Sequence, residues 1–341
     1  MDYSSAGVSL ERADEAMGQI KDSVKSTFND RVVGDLGSFG GLFSIANLGM
    51  EDPILVTSVD GVGTKLKLSF EMGCHERPGQ DIVNHCVDDI LVMGARPLVF
   101  LDYVGLGRLE PSTMGKLVAG MAKACRENGC VLIGGETAEM PGFYQVGEYD
   151  IAGTIVGVVD RPKAITGEKI RPGDVILGLK STGLHTNGYS LARKALLDSG
   201  LYKVDTHLDE LGTTVGDALS VPHRSYLKPL WPLVDRREIN GLVHITGSGY
   251  QGNIPRVLPA DCDAVIDRKA WEVPAIFNVI QKAGDVERDE MYRVFNMGLG
   301  MLVVVSPDKA DAIKAELEAA GETVVVAGRI EKGSKSVRFC S

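Results

Sequence analysis

Apolar residues at Leu10, Ala13, Met17, Ile20, Val24 and Phe28 recur at the spacing of one helix face, so residues 10–28 are predicted as a helix. A second helical pattern spans 80–95, with Ile82, Cys86, Ile90 and Met93 predicted to line its buried side. Asn84 and Asp88 fall four apart on another face, with Asp81 one turn earlier and Asp89 adjoining; acids so placed either form a solvated face or turn toward a ligand. A third helix is predicted over 111–128. β-type runs appear at 42–46, 54–59, 98–104, 130–133 and 149–159.

The alternation continues with strands at 175–179, 242–245, 301–305 and 323–330, and with helices at 189–199, 274–282 and 309–320, plus a helix start at Asn253. Between the halves, 160–173 is rich in charge, proline and glycine. The pattern predicts a mixed α/β chain of two domains, 1–165 and 166–341.

Composition narrows the partners. A net charge of −10 with no basic tract argues against nucleic acid or an anionic membrane. No apolar run reaches membrane-spanning length, and the six cysteines lack zinc-type spacing, so a soluble cytoplasmic protein with reduced thiols is expected. Glycine is abundant (41 residues) and clusters beside charged and hydroxyl residues, a pattern suited to phosphate sites lined by backbone.

Four such clusters stand out. Thr57-Ser58-Val59-Asp60-Gly61-Val62-Gly63-Thr64-Lys65 ends a β-type run in an acid, glycines, a hydroxyl and a lysine. A carboxylate there can hold Mg²⁺ while amides and the lysine meet phosphate; Asp-Gly is equally a hairpin turn. Gly34, Gly37, Gly40 and Gly41 make a loop that backbone could close over a ligand. Gly134-Gly135-Glu136-Thr137-Ala138-Glu139-Met140-Pro141-Gly142 follows a buried run and is either a phosphate and metal turn or a plain loop. Ser181-Thr182-Gly183-Leu184-His185-Thr186-Asn187-Gly188-Tyr189-Ser190 precedes a helix; it offers groups for phosphate binding and proton transfer, or a cap at Asn187 with His185 packed.

Together these stretches resemble the phosphoribosylformylglycinamidine cyclo-ligases, or aminoimidazole ribonucleotide synthetases, over nearly the whole chain. Phe100-Leu101-Asp102-Tyr103, His244-Ile245-Thr246-Gly247 and Phe295-Asn296-Met297-Gly298 support the resemblance. Three positions depart from the family pattern. Tyr3-Ser4-Ser5-Ala6-Gly7-Val8 lacks a lysine, Val87-Asp88-Asp89 has an acid where the family has asparagine, and Thr246-Gly247-Ser248-Gly249 has a serine in a glycine run.

The resemblance implies a homodimer of two-domain subunits whose N-terminal domains contribute strands to a barrel at the interface, with a C-terminal α/β domain of mixed sheet. The nucleotide sites would draw on both chains. It implies ATP and Mg²⁺, with Asp60, Asp89 and Glu136 on the metal. Gly37, Gly40, Asp60, Gly61, Gly63, Thr64, Lys65, Gly134, Gly135, Glu136 and Thr137 would serve the nucleotide. His185, Thr186, Asn187, Gly188, Tyr189, His244 and Gly247 would face a ribonucleotide, and Lys65, Asp89 and His185 would be catalytic. The implied reaction phosphorylates the formyl oxygen of formylglycinamidine ribonucleotide, after which an amidine nitrogen closes the imidazole ring and phosphate departs. Related readings are a hydrogenase-maturation dehydratase using a C-terminal cysteine, a small-molecule kinase, and a non-catalytic nucleotide-binding module. Cys340, followed by Ser341, is taken as a plain exposed thiol.

Overall fold

The computed structural model describes residues 8–340; Tyr3 to Gly7 of the opening motif, and Ser341, lie outside the described residues. The chain divides into two compact units. One holds the described residues through Ile90 together with Ala95–Asp160, the other Leu91–Gly94 with the described residues from Arg161 onward.

In the first unit, α1 (Leu10–Lys25) opens at Ser9, whose hydroxyl accepts the Arg12 N–H at 3.2 Å and caps the helix. Its apolar stripe is less buried than the periodicity predicted. Leu10 and Met17 are exposed, while Ala16 and Val24 are buried, because α1 rests on the outside of a later helix along a narrow strip. Strands β1 (Val32–Val33) and β2 (Leu42–Phe43) pair antiparallel, so the glycine loop is the tip of a short hairpin and the strand expected at 42–46 is only two residues long.

β3 (Pro53–Gly61) leads through a 3₁₀ turn into α2 (Leu66–Met72) and then α3 (Glu76–Leu91). β4 (Arg96–Leu106), α4 (Pro111–Asn128), β5 (Val131–Glu139) and β6 (Tyr149–Asp160) follow. The four long strands form one sheet in the order β3-β6-β4-β5. β4 and β5 are parallel, as the α4 crossover between them requires, and the other pairs are antiparallel. On one face Phe100, Val104, Ile151 and Ile155 are buried; residues of opposite parity leave Leu55, Val59 and Tyr103 59%, 67% and 41% exposed.

Two expectations change here. α3 stops at Leu91, where Gly94, at φ 79°, turns the chain back and donates to the Leu91 carbonyl, leaving Met93 exposed rather than in the core. Nor are the helix acids a solvated face: Asp81, Asn84, His85 and Asp88 are all buried.

The second unit runs through β7 (Val175–Lys180), α5 (Tyr189–Leu196), the ribbon of β8 (His207–Leu208) and β9 (Thr213–Thr214), α6 (Val215–Ser220), α7 (Leu227–Asp235) and β10 (Gly241–His244). It continues with α8 (Gly249–Asn253), β11 (Cys262–Asp267), α9 (Ala275–Gly284), α10 (Arg288–Val294), β12 (Leu299–Val305), α11 (Ala310–Ala319), β13 (Val324–Lys332) and β14 (Val337–Cys340). The sheet order is β10-β12-β7-β13-β11-β14, mixed because β14 runs parallel to β11. Every residue of β12 is buried, which makes it the axis of this core. Asn253 ends α8 and opens only a single 3₁₀ turn, Ile254–Arg256. α7 carries Pro229 and Pro232, which mask its helical pattern; the first lies in the opening turn, where its missing N–H costs nothing. Among the described residues no helix is long and apolar enough to cross a membrane.

Candidate functional site

The Asp60-Gly61 pair does not make a hairpin. β3 runs through Gly61, and the chain then turns at Gly63 (φ 64°) into the 3₁₀ segment Gly63–Lys65. Asp60 is thereby set at the end of an edge strand, against α3. Its Oδ1 accepts the Gly61 N–H at 2.7 Å, and its Oδ2 lies 2.9 Å from His85 Nε2. One helical turn beyond His85, Asp89 Oδ2 lies 3.7 Å from the same nitrogen and accepts the Ser58 hydroxyl at 3.0 Å. β3 and α3 thus bring Asp60 and Asp89 around one imidazole.

The electrostatics follow from that arrangement. Burial acts to raise the Asp60 carboxyl, but the His85 ring and the Gly61 N–H outweigh it and hold the group below the usual carboxylate range. Burial pulls His85 down, while Asp60 and Asp89, with Asp81 beyond them, carry it above the ordinary imidazole value. Two carboxylates beside one imidazole nitrogen are donors of the kind that bind divalent cations. His85 and Ser58 carried a readable signal. His85 and Asp89 are four apart on a helix, and Ser58 shares its strand face with Asp60.

Lys65 is not presented to solvent. Its ammonium is 2% exposed and lies 2.8 Å from Asp81 Oδ1 on α3. Burial depresses the lysine below its ordinary value, and the Asp81 carboxylate only partly restores it. Thr64 stands beside it at the surface, and Gly37 and Gly40 lie in the exposed hairpin tip.

Gly134, Gly135, Glu136 and Thr137 are not a turn. β5 continues through them, pairing Gly134 with Leu101, Gly135 with Asp102, Glu136 with Tyr103 and Thr137 with Val104. A register shift at Leu101 accommodates the change from apolar to glycine residues. A Cβ on Gly135 would stand 2.2 Å from Asp102 Oδ1, so glycine is what lets that carboxyl pack beside the strand. Burial pushes the Asp102 carboxyl up to about 7. Glu139, at the end of the motif, is taken up by structure: it accepts from the Ser9 and Leu109 amides and pairs with Arg12 at 2.9 Å. Because β3 and β5 are opposite edges, three strand spacings, roughly 14 Å, separate Glu136's strand from Asp60's. A single chain does not bring Glu136 to the Asp60–Asp89 pair.

In the second unit three buried histidines gather: His185 after β7, His223 before α7 and His244 at the end of β10. The His185 and His223 rings stack with centroids 4.0 Å apart, and His223 Nε2 lies 3.2 Å from His244 Nε2. Thr186 Oγ1 is 3.2 Å from His223 Nδ1, and the Thr182 N–H donates to His185 Nε2 at 3.3 Å. His185 holds φ 65°, a left-handed backbone uncommon for a side-chain-bearing residue. His223 stands in a Pro-His-Arg loop with no periodicity, and no pattern along the chain marks it.

The neighbouring residues divide. Asn187 abuts Gly247, where a Cβ would fall 2.9 Å from Asn187 Oδ1, whereas the cap of α5 is Gly188 rather than Asn187. Tyr189, expected to face a ribonucleotide, is buried and donates its hydroxyl to the Leu219 carbonyl at 2.5 Å. Cys340 is half-buried at the end of β14, its thiol 3.6 Å from the Ile266 carbonyl, not a plain exposed thiol.

Comparison with known proteins gives consistent relatives. The N-terminal domain of AIR synthase related proteins matches residues 45–159, and the C-terminal domain of the same group matches 171–341. A phosphoribosylformylglycinamidine cyclo-ligase from Alkaliphilus metalliredigens is 47% identical over 338 residues, covering 99% of this chain and 97% of its own. One from Desulfitobacterium hafniense is 49% identical over 337 residues, covering 99% and 98%. Among solved structures, thiamine-monophosphate kinase from Stenotrophomonas maltophilia superposes with a TM-score of 0.67 at 17% identity, covering 95% of each chain. Hydrogenase maturation protein HypE in complex with ATP gives 0.64 at 19%, covering 96% of this chain and 89% of its own. At these identities the two structures show a shared fold and nothing more.

Proposed function

We propose, from the premise that the chain belongs to the AIR synthase related family, that it carries out the cyclo-ligase reaction of purine biosynthesis. Formylglycinamidine ribonucleotide is closed to 5-aminoimidazole ribonucleotide while ATP is cleaved to ADP and phosphate. The observation that carries this reading is the convergence of Asp60, Asp89 and His85 at the glycine turn after β3, in a chain related to cyclo-ligases over almost its full length.

The domain of residues 1–165 would serve ATP and dimerisation, and 166–341 the ribonucleotide. Asp60 and Asp89 would hold Mg²⁺, which when bound neutralises charge on the transferring phosphoryl group. Gly63 and Thr64 would offer backbone N–H groups to phosphate oxygens, while Gly61, whose N–H holds Asp60, would shape the turn beside the nucleotide. Lys65 braces the turn through Asp81 and reaches phosphate only by leaving that pair. The loop carrying Gly37 and Gly40 would fold over the nucleotide. His185, Thr186, Asn187, His244 and Gly247 would line the ribonucleotide site, with His185 moving a proton during ring closure.

A homodimer accounts for what one chain leaves undone. Among the described residues the sheet ends in two edge strands, β3 and β5, each paired on one side, and its uncovered face exposes Leu55, Val59 and Tyr103. Pairing such edges between two copies builds a closed barrel. It would also carry Glu136, Gly134, Gly135 and Thr137 of one copy toward Asp60 of the other. The protein would act in the cytoplasm.

The test is phosphate release from Mg·ATP with and without formylglycinamidine ribonucleotide, with the imidazole product followed in parallel. Equal amounts of substrate-dependent phosphate and imidazole are expected. Phosphate transferred to another acceptor, or ATP bound without turnover, would refute the reading in favour of a related kinase or a non-catalytic module.

A further inference from the structure

His85 is the one feature of the Asp60–Asp89 cluster that the proposed Mg²⁺ role does not call for. Mg²⁺ takes oxygen donors, and the two carboxylates with phosphate oxygens and water would satisfy it. An imidazole nitrogen pointed into the same cluster is a different chemical statement.

The distances can be compared with a coordination sphere. With metal–donor bonds of about 2.1 Å, adjacent ligands of an octahedron lie about 3.0 Å apart and opposite ones about 4.2 Å. His85 Nε2 lies 2.9 Å from Asp60 Oδ2, which matches an adjacent pair, and 3.7 Å from Asp89 Oδ2, between the two limits. Asp60 Oδ2 and His85 Nε2 are thus spaced as neighbouring ligands of one ion, with Asp89 Oδ2 near the same nitrogen. The scaffold is also rigid. His85 and Asp89 share one face of α3, His85 is buried, Asp89 is held by the Ser58 hydroxyl, and Asp60 is held by the Gly61 N–H.

We infer that His85 is a direct ligand of the divalent ion, and that this makes the site selective for a first-row transition metal such as Mn²⁺ over Mg²⁺. Imidazole adds little to the binding of Mg²⁺ but strengthens binding of Mn²⁺, Fe²⁺ and Co²⁺, in rising order. The inference rests on the proposed metal role of Asp60 and Asp89 and goes beyond it, because a carboxylate-only site has no reason to prefer Mn²⁺.

The experiment uses the purified full chain without an affinity tag. MnCl₂ is titrated by electron paramagnetic resonance, alone and with a non-hydrolysable ATP analogue, and MgCl₂ by calorimetry under the same conditions. Pulsed resonance on the Mn²⁺ complex reads coupling to a ligand nitrogen. Wild type is expected to show that coupling. His85→Leu is expected to lose it, weakening Mn²⁺ about tenfold and Mg²⁺ less than about twofold. His85→Gln, which keeps a polar group of similar reach, repeats the measurement if the leucine variant fails to fold.

Bound Mn²⁺ without nitrogen coupling would overturn the inference while leaving the metal role of Asp60 and Asp89 intact; so would coupling that survives in His85→Leu. A parallel loss of Mn²⁺ and Mg²⁺ would show that His85 merely positions Asp60, and would also overturn it. No Mn²⁺ binding at all, with or without the analogue, would remove the proposed metal role itself and the inference with it.

Discussion

Replacing Lys65 by methionine separates two roles that the sequence had merged. The residue is 2% exposed and its partner Asp81 0%, so the substitution keeps side-chain length but takes the ammonium away from a buried carboxylate. Removing one member of a buried pair costs about 3–5 kcal/mol, chiefly through the uncompensated charge left behind. In a unit of this size each kcal/mol lowers the melting temperature by about 2–4 °C, so a fall of about 6–20 °C is expected by scanning calorimetry. The double variant Lys65→Met/Asp81→Leu removes both charges and should recover to within a few degrees of wild type, since a buried pair is commonly replaceable by apolar residues. Titration of an ATP analogue into both variants then isolates the phosphate role. If the lysine also reaches phosphate, the double variant stays weak in nucleotide binding although its stability has returned. A fall of less than about 2 °C in Lys65→Met, or a double variant no better than the single, would refute the assignment of Lys65 to the interior.

Three further outcomes are expected. Asp102 binds a proton in the folded chain up to about pH 7 but in the unfolded chain only to about pH 4; its contribution is therefore full below pH 4 and lost as pH rises to 7, by about 4 kcal/mol at most, and Asp102→Asn should flatten that part of the urea-denaturation profile. His185→Ala should lower turnover by about 10²–10⁴-fold at saturating substrate, and near-normal turnover would exclude its role in proton transfer. Val59→Asp, placed on the uncovered sheet face, should shift sedimentation from dimer to monomer, and an unchanged dimer would exclude that face from the interface.

Much of the fold was legible because periodicity carries it. α4 begins and ends where its stripe does, and β3, β4, β6 and β12 extend their predicted runs by a few residues. The failures share a cause. Glycines at 134 and 135 read as a turn because the sequence cannot show that Asp102, on the neighbouring strand, needs the space the missing side chain of Gly135 leaves. Asp81 and Asp88 were left between a solvated face and one turned inward, because helical spacing gives a face and not what covers it; both are buried. Asp60 and Asp89 were paired in advance through the resemblance, and the structure brings both to His85, while nothing marked His223: only the folded loop before α7 brings it to His185 and His244.

The open sheet has a consequence for how the protein is made. Two open strand edges and an apolar face are the surface on which a second copy would dock, and equally a template for any extended segment that arrives first. Dilute refolding gives each copy time to complete its own sheet before meeting another. Concentrated refolding offers half-formed edges to one another, so assembly and aggregation compete for the same hydrogen bonds. Yield of active protein should therefore pass through a maximum with chain concentration rather than rise steadily.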